Sequence, residues 1–336
     1  MFAAIALSVA VCALAACEPV PAGPPEFQSG HGITVHGFHQ LAGSDRTWVV
    51  DIETESVHAG AVHGFHQIFI TLPDLYFERG GYRFPVLYLL HGGGGGRSSD
   101  WTLGAGDAEA ITDPHNVITV MPDGGKVGWY TDWVHTPEGA QAWKTFHLEQ
   151  LVPWVDANLR TAAARESRAI AGLSMGGYGA IRYAAERPDL FSYAASFSGA
   201  VDIENIGVTT VVAQQSLANG FGATGAFGAR GGSDSTWWES NPVNRAQDLQ
   251  DVQVAIYTGP GNNILDVIET TMAANAQLLH QRLNEAGIDH FYWNYGRNPQ
   301  NATPSPYSCD GGHNFGCWNF ALHHAMPQMM DVLIGP

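Results

Sequence analysis

The sequence predicts an α/β fold: a mostly parallel central sheet with antiparallel strands at its N-terminal end and helices on both faces. Two observations carry this expectation. Beyond residue 67, short apolar runs alternate with stretches whose apolar residues recur three and four apart, which reads as strands and amphipathic helices in turn. Of 336 residues, 45% are hydrophobic and 14% charged, which suits a large buried core and excludes a disordered chain.

Taken in order, strands are expected at residues 48–52, 67–72, 85–90, 117–121, 168–171, 194–197, 253–258 and 291–295. Helices are expected at 145–159, 176–186, 270–286 and 319–332. Ahead of them lies an internal duplication. Residues 31–40 read HGITVHGFHQ and 58–67 read HAGAVHGFHQ, identical at seven of ten positions with an offset of 27. Six of the 15 histidines fall in these two sets, and clustered imidazoles could bind Zn²⁺ or Cu²⁺. No Cys, Asp or Glu recurs inside the sets to complete a site, so the repeat reads instead as two outer strands paired in a β-hairpin. Residues 203–245 break the rhythm with GFGATGAFGARGGSDSTWW and are expected to form a lid or loop over a cleft. No second domain boundary is visible, and residues 27–336 read as one catalytic-sized domain.

Composition and the N-terminal segment bound the setting. Against 15 Lys and Arg stand 32 Asp and Glu, a net charge of −17 that repels phosphate backbones and anionic lipid, so nucleic-acid binding is excluded. Residues 1–16 carry no charge and are too short to span a bilayer, as in a secretory signal peptide. They end in Leu-Ala-Ala before Cys17, which resembles a bacterial lipobox and makes Cys17 the expected lipid anchor and the only expected membrane contact. Residues 17–26 then form a Pro-rich tether. With Cys12 in the signal and Cys17 acylated, only Cys309 and Cys317 remain, and one disulfide in an oxidising compartment is expected between them. The chain is thus read as secreted and lipid-anchored to the outer face of a bacterial membrane.

The chemistry concentrates in a few places. Gly172-Leu173-Ser174-Met175-Gly176 fits G-x-S-x-G, with an apolar strand before it and a helical pattern after it. Small residues at 172 and 176 permit a strained turn that holds the Ser174 hydroxyl beside the free N–H groups of a helix start. A serine needs a base, and the base an orienting acid. His313, in a Gly-Gly-His-Asn turn between the last strand and the last helix, is the expected base; His280, His290, His323 and His324 lie in or beside regular elements. The loop after strand 253–258 should deliver the acid, with Asp266 first in line and Glu269 the alternative one helical turn later. The glycine run after His91 lets backbone N–H groups approach a substrate, so Gly93 and Met175 are the expected oxyanion donors. Trp129, Trp133, Trp237, Trp238 and Trp318 are candidate walls of a substrate pocket. No metal and no organic cofactor is called for.

Five blocks in order, PVLYLLHGGGGG, VMPDGGKVGWYTDW, TFHLEQLVPWVDANL, GLSMGGYGA and GGHNFGCW, resemble the esterase D family of α/β-hydrolases over roughly residues 65–335. That family includes S-formylglutathione hydrolases, the feruloyl and acetyl-xylan esterases of carbohydrate esterase family 1, and the antigen 85 mycolyltransferases. The likeness implies the α/β-hydrolase fold, a Ser174–His313–Asp266 (or Glu269) triad, and hydrolysis of a small-molecule, polysaccharide or lipid ester through an acyl-serine. GWYTDW and DSTWWESNP resemble antigen 85 in particular, which implies transfer of an acyl group to a sugar or glycerol hydroxyl as the alternative. His91 stands where the mycolyltransferases carry Asp, and the cysteine pair is foreign to them. A non-catalytic surface protein with a His-rich metal site is the alternative of another class. Ester hydrolysis is expected to fall in acid as His313 protonates.

Overall fold

The computed structural model describes residues 23–58, 64–136, 139–218, 220, 222–231 and 235–335. The expected signal peptide, the lipid anchor at Cys17, the first part of the tether and His63 lie outside the described residues. Among the described residues one nine-stranded sheet runs in the order β1-β2-β3-β5-β4-β6-β7-β8-β9. The strands are β1 (Ile33–Gln40), β2 (Thr47–Thr54), β3 (His66–Thr71), β4 (Val86–Leu90), β5 (Ile118–Pro122), β6 (Arg168–Leu173), β7 (Tyr193–Phe197), β8 (Gln253–Thr258) and β9 (His290–Asn294). The pairings β1–β2, β2–β3 and β3–β5 are antiparallel, and all others are parallel.

The helices are α1 (Asp74–Glu78), α2 (Ala108–Thr112), α3 (Trp143–Thr145), α4 (Val152–Asn158), α5 (Met175–Glu186), α6 (Ile206–Ala218), α7 (Thr236–Glu239), α8 (Val267–Glu285) and α9 (Phe315–Val332). A π-helical turn at Phe146–Leu151 joins α3 to α4, so the helix expected at 145–159 is real but its middle is underwound, with backbone hydrogen bonds that span five residues instead of four.

Successive residues of each strand point to opposite faces. Val86, Tyr88, Leu90 and Ile170 pack into the core shared with α5, α4 and α8, while Leu87, Leu89, Ala169 and Ala171 pack into the one under α9 and α2. Burial on both faces is why β4, β5, β6 and β7 read as mainly apolar runs rather than alternating ones. At the edge of the sheet β1 alternates between shielded and exposed positions instead.

The duplicated segments do not form the expected hairpin with each other. The first copy supplies β1 and the second leads into β3, and β2 lies between them, with Val35 and His66 both opposite Ile52. The reason is the intervening TWVVDIET, a full alternating strand that competes for both partners. Residues 203–245 are likewise not a bare loop: 13 of them form α6, and Ser235 caps α7 by accepting from Trp238 N–H at 3.2 Å.

Candidate active site

Ser174 sits between β6 and α5, where the chain turns sharply with φ 51° and ψ −116°. Such a backbone is costly for a side-chain-bearing residue and persists only when neighbours enforce it. They do so through close backbone approach. A Cβ on residue 172 would come within 2.4 Å of Gly176 O, and one on residue 176 within 2.5 Å of Leu90 O. Ser174 N–H donates to Phe197 O at 2.9 Å, and Ser174 O accepts from Tyr178 N–H at 3.1 Å, locking the turn from both sides.

His313 stands in the turn just before α9. Its Nε2 is 3.0 Å from Ser174 Oγ and accepts the hydroxyl proton, while its Nδ1–H donates to Glu269 Oε2 at 2.7 Å. The turn is braced on three sides. Cys309 and Cys317 are disulfide-bonded around it, the Asn314 side chain accepts from Cys317 N–H, and Gly261 N–H donates to Gly311 O at 2.8 Å. A Cβ on residue 259 would lie 2.2 Å from Gly311 O, so only glycine lets the loop after β8 come this close.

The carboxylate partner of His313 is Glu269; the expectation of Asp266 is corrected. Asp266 is the N-cap of α8, its Oδ1 accepting from Glu269 N–H at 3.1 Å and its Oδ2 from Asn262 N–H at 3.2 Å. The helix begins three residues earlier than the apolar spacing suggested, and this puts residue 269 in the first turn, aimed back at the sheet. The Asp-x-x-Glu spacing of a capping pair was a legible signal for that start. Glu269 is fully buried. Its Oε1 accepts from Gly259 N–H at 2.7 Å, Ser198 Oγ at 2.9 Å and Thr258 Oγ1 at 3.1 Å. These donors satisfy a buried carboxylate without a cation, and none of them was singled out from the sequence. Burial, reinforced by the Glu269 charge, pushes the neighbouring Tyr295 phenol far above its ordinary pKa, so it stays protonated.

The glycine run after β4 is held from behind. His91 is buried, its Nδ1–H donating to Gly92 O at 2.7 Å and its Nε2 accepting from Gly124 N–H at 2.8 Å. Gly93 backs onto Met175, where a Cβ would meet the sulfur at 3.2 Å, so the two expected oxyanion donors stand side by side next to Ser174.

Ser174 and His313 open onto a cavity of about 300 Å³ walled by α6 and α8, with Trp129, Met175, Val208, Val211, Ile268 and Met272 among its lining. Of the five tryptophans expected there, only Trp129 lines it. Trp318 packs edge-on against the His313 ring at 5.0 Å, supporting the imidazole from the side. Trp133 and Trp237 are buried, their indole N–H groups donating to Gly128 O and Gly228 O at 3.0 Å, and Trp238 lies on the surface. The wall is instead aliphatic and comes from α6 and α8 together, and the glycine-rich composition around α6 concealed its share.

Among the described residues the repeated histidines form no common cluster. His36 pairs with Glu53 at 2.9 Å and His66 donates to Asp123 at 2.8 Å, and among the described residues no group of three or more His, Cys, Asp or Glu is placed to hold a metal ion.

Comparisons with known proteins follow the same lines. Esterase Rv1288 of Mycobacterium tuberculosis is 38% identical over 230 residues, 66% of this chain but 49% of that protein, so the chain spans about half the length of that relative. The protein named diacylglycerol acyltransferase/mycolyltransferase Ag85B of Mycolicibacterium smegmatis is 30% identical over 273 residues, covering 76% of this chain and 80% of that one. Among solved structures, an S-formylglutathione hydrolase from Agrobacterium tumefaciens superposes with TM-score 0.66 at 14% identity over 89% of this chain and 99% of its own. M. tuberculosis MPT51 (FbpC1) superposes with TM-score 0.61 at 21% identity over 83% and 98%. These two share the α/β-hydrolase fold. The Esterase family model matches residues 62–329, from the second repeat to the last turns of α9, and the chain belongs to the Esterase family.

Proposed function

We propose that this protein is an exported serine carboxylesterase that cleaves carboxylic esters through an acyl-Ser174 intermediate. The observation that carries the reading is the unbroken hydrogen-bond chain Ser174–His313–Glu269 ending at an apolar cavity. His313 Nε2 takes the Ser174 proton as Oγ attacks the ester carbonyl. The imidazolium this forms is stabilised by Glu269 through Nδ1. The oxyanion is received by the N–H groups of Gly93 and Met175. His313 then gives its proton to the departing alkoxide, the alcohol leaves, and Oγ carries the acyl group. Water, deprotonated by His313, attacks the acyl carbonyl and regenerates the serine. The acyl chain lies between α6 and α8, whose aliphatic side chains favour an alkyl group over a sugar.

The second reading keeps the acyl-enzyme but passes the acyl group to a sugar or glycerol hydroxyl, as the name of the Ag85B relative suggests. The rim of the cavity favours water as acceptor, since Val267 and Ile268 are 68% and 58% exposed and the mouth is open to solvent. Export and lipidation at Cys17 belong to the same proposal; among the described residues no helix is long and apolar enough to cross a membrane.

The test is hydrolysis of p-nitrophenyl acetate, butyrate and palmitate, with and without a sugar acceptor, beside Ser174→Ala. Product that vanishes in the variant supports the serine mechanism, and acceptor dependence separates transfer from hydrolysis. No turnover and no labelling of Ser174 by a fluorophosphonate would overturn it. Stoichiometric Zn²⁺ or Cu²⁺ lost on replacing His36 and His63 would instead favour the metal-binding protein.

A further inference from the structure

The outer walls of the cavity carry an unusual surface. Large aliphatic side chains stand exposed on both: Ile206 and Val211 on α6, and Ile264, Leu265, Val267 and Ile268 at the start of α8. Ile264 is 93% exposed and Leu265 81%, values that leave them no packing role in the fold. Val211, Val267 and Ile268 also line the cavity, so the exposed apolar surface runs without interruption into the place assigned to the acyl chain.

The two segments that carry these side chains present no outward charge of their own. The α6 sequence IGVTTVVAQQSLA has no ionisable residue, and the only one in residues 262–268 is Asp266, both of whose oxygens accept backbone N–H groups. In a chain of net charge −17, exposed aliphatic side chains on two uncharged segments beside the opening call for an apolar occupant. A single ester molecule in the cavity does not reach Ile206, Ile264 and Leu265. An extended surface does. An acidic protein is repelled by anionic lipid, which leaves an uncharged or zwitterionic surface.

Resting on the esterase reading above, we propose that this rim docks the enzyme on the surface of aggregated neutral lipid ester, so that an acyl chain passes from the aggregate into the cavity without crossing water. The occupant is a lipid surface rather than a protein or a second copy of this chain.

The experiment uses the full chain with Cys17→Ser, so that no attached lipid can mimic docking. Initial rates on tributyrin are followed through its solubility limit, beside the dissolved ester p-nitrophenyl butyrate. The expected rate rises abruptly, by about fivefold or more, once droplets form. Ile206→Ser, Ile264→Ser and Leu265→Ser combined remove the rise while leaving the dissolved-ester rate within about twofold, because none of the three lines the cavity. Flotation of the Ser174→Ala protein with phosphatidylcholine vesicles, falling about tenfold or more in the triple variant and absent with phosphatidylglycerol vesicles, gives the same answer without catalysis. Smooth saturation through the solubility limit, a rise retained by the triple variant, or a dimer that the triple substitution dissolves would each overturn the docking proposal. Absence of any dissolved-ester hydrolysis would overturn the esterase reading instead, and leaves flotation to decide the docking.

Discussion

Replacing Glu269 by Gln should abolish most activity while leaving the fold and the cavity intact, and the geometry says why. The amide retains one carbonyl oxygen. Gly259 N–H, 2.7 Å from Oε1, is a fixed donor that cannot turn to accept, so the amide oxygen must occupy that side. The NH₂ then faces His313 Nδ1 across the present 2.7 Å contact, and Nδ1 must accept rather than donate. The ring proton moves to Nε2, where it blocks transfer from Ser174 Oγ at 3.0 Å. A wrong-tautomer histidine costs about 10³–10⁴ in kcat, or about 4–5.5 kcal/mol of transition-state stabilisation. KM should hold, because Glu269 is fully buried and does not line the cavity. The assay is initial-rate hydrolysis of p-nitrophenyl butyrate, normalised by fluorophosphonate titration of Ser174, with thermal melting by circular dichroism to verify the fold. A kcat within tenfold of the parent, or an equal loss in Asp266→Asn, would refute the assignment of the triad acid.

Other perturbations follow from the same geometry. Asp266→Ala removes a helix cap and the acceptor of Asn262 N–H but no group that touches His313, so it should cost about 1–2 kcal/mol of stability and leave kcat within about threefold, measured by urea unfolding beside the ester assay. Reducing Cys309–Cys317, or Cys309→Ser with Cys317→Ser, frees an eight-residue separation centred on the His313 turn. The loss should be about 2.5 kcal/mol in stability with a larger fall in kcat than in KM; an unchanged kcat would show that Gly261 and Asn314 hold the turn unaided. Burial pushes His147 down to about 4, its Nε2–H donating to Asp123 O and its Nδ1 accepting from Tyr183. The unfolded chain takes up this proton near pH 6.5 and the folded one does not, so stability present above that value is lost as pH falls towards 4, by up to about 3 kcal/mol. His147→Gln, which keeps a donor and an acceptor, should flatten the fall of Tm over that window.

Much of this molecule was written locally. The strands at 85–90, 168–171 and 194–197 are buried on both faces, and a doubly buried strand is mainly apolar on successive residues, with no alternating solvent-facing set. Ser174 was legible because a sharp strand-to-helix turn leaves room only for glycine at 172 and 176. His313 was legible because such a turn must be met by a base from a loop late in the chain. What local pattern could not carry was anything decided by where separate segments meet. Asp266 and Glu269 are three residues apart and chemically alike; the start of α8 and three donors from Ser198, Thr258 and Gly259 choose between them. The tryptophans were conspicuous by type, yet packing took Trp133 and Trp237 into the core and left the cavity to aliphatic residues of α6 and α8. The two VHGFHQ copies looked like partners until β2 claimed a side of each. Residue type and spacing record the requirements of a single strand, turn or helix, whereas a hydrogen bond or a cavity wall between distant segments exists only once the sheet has brought them together.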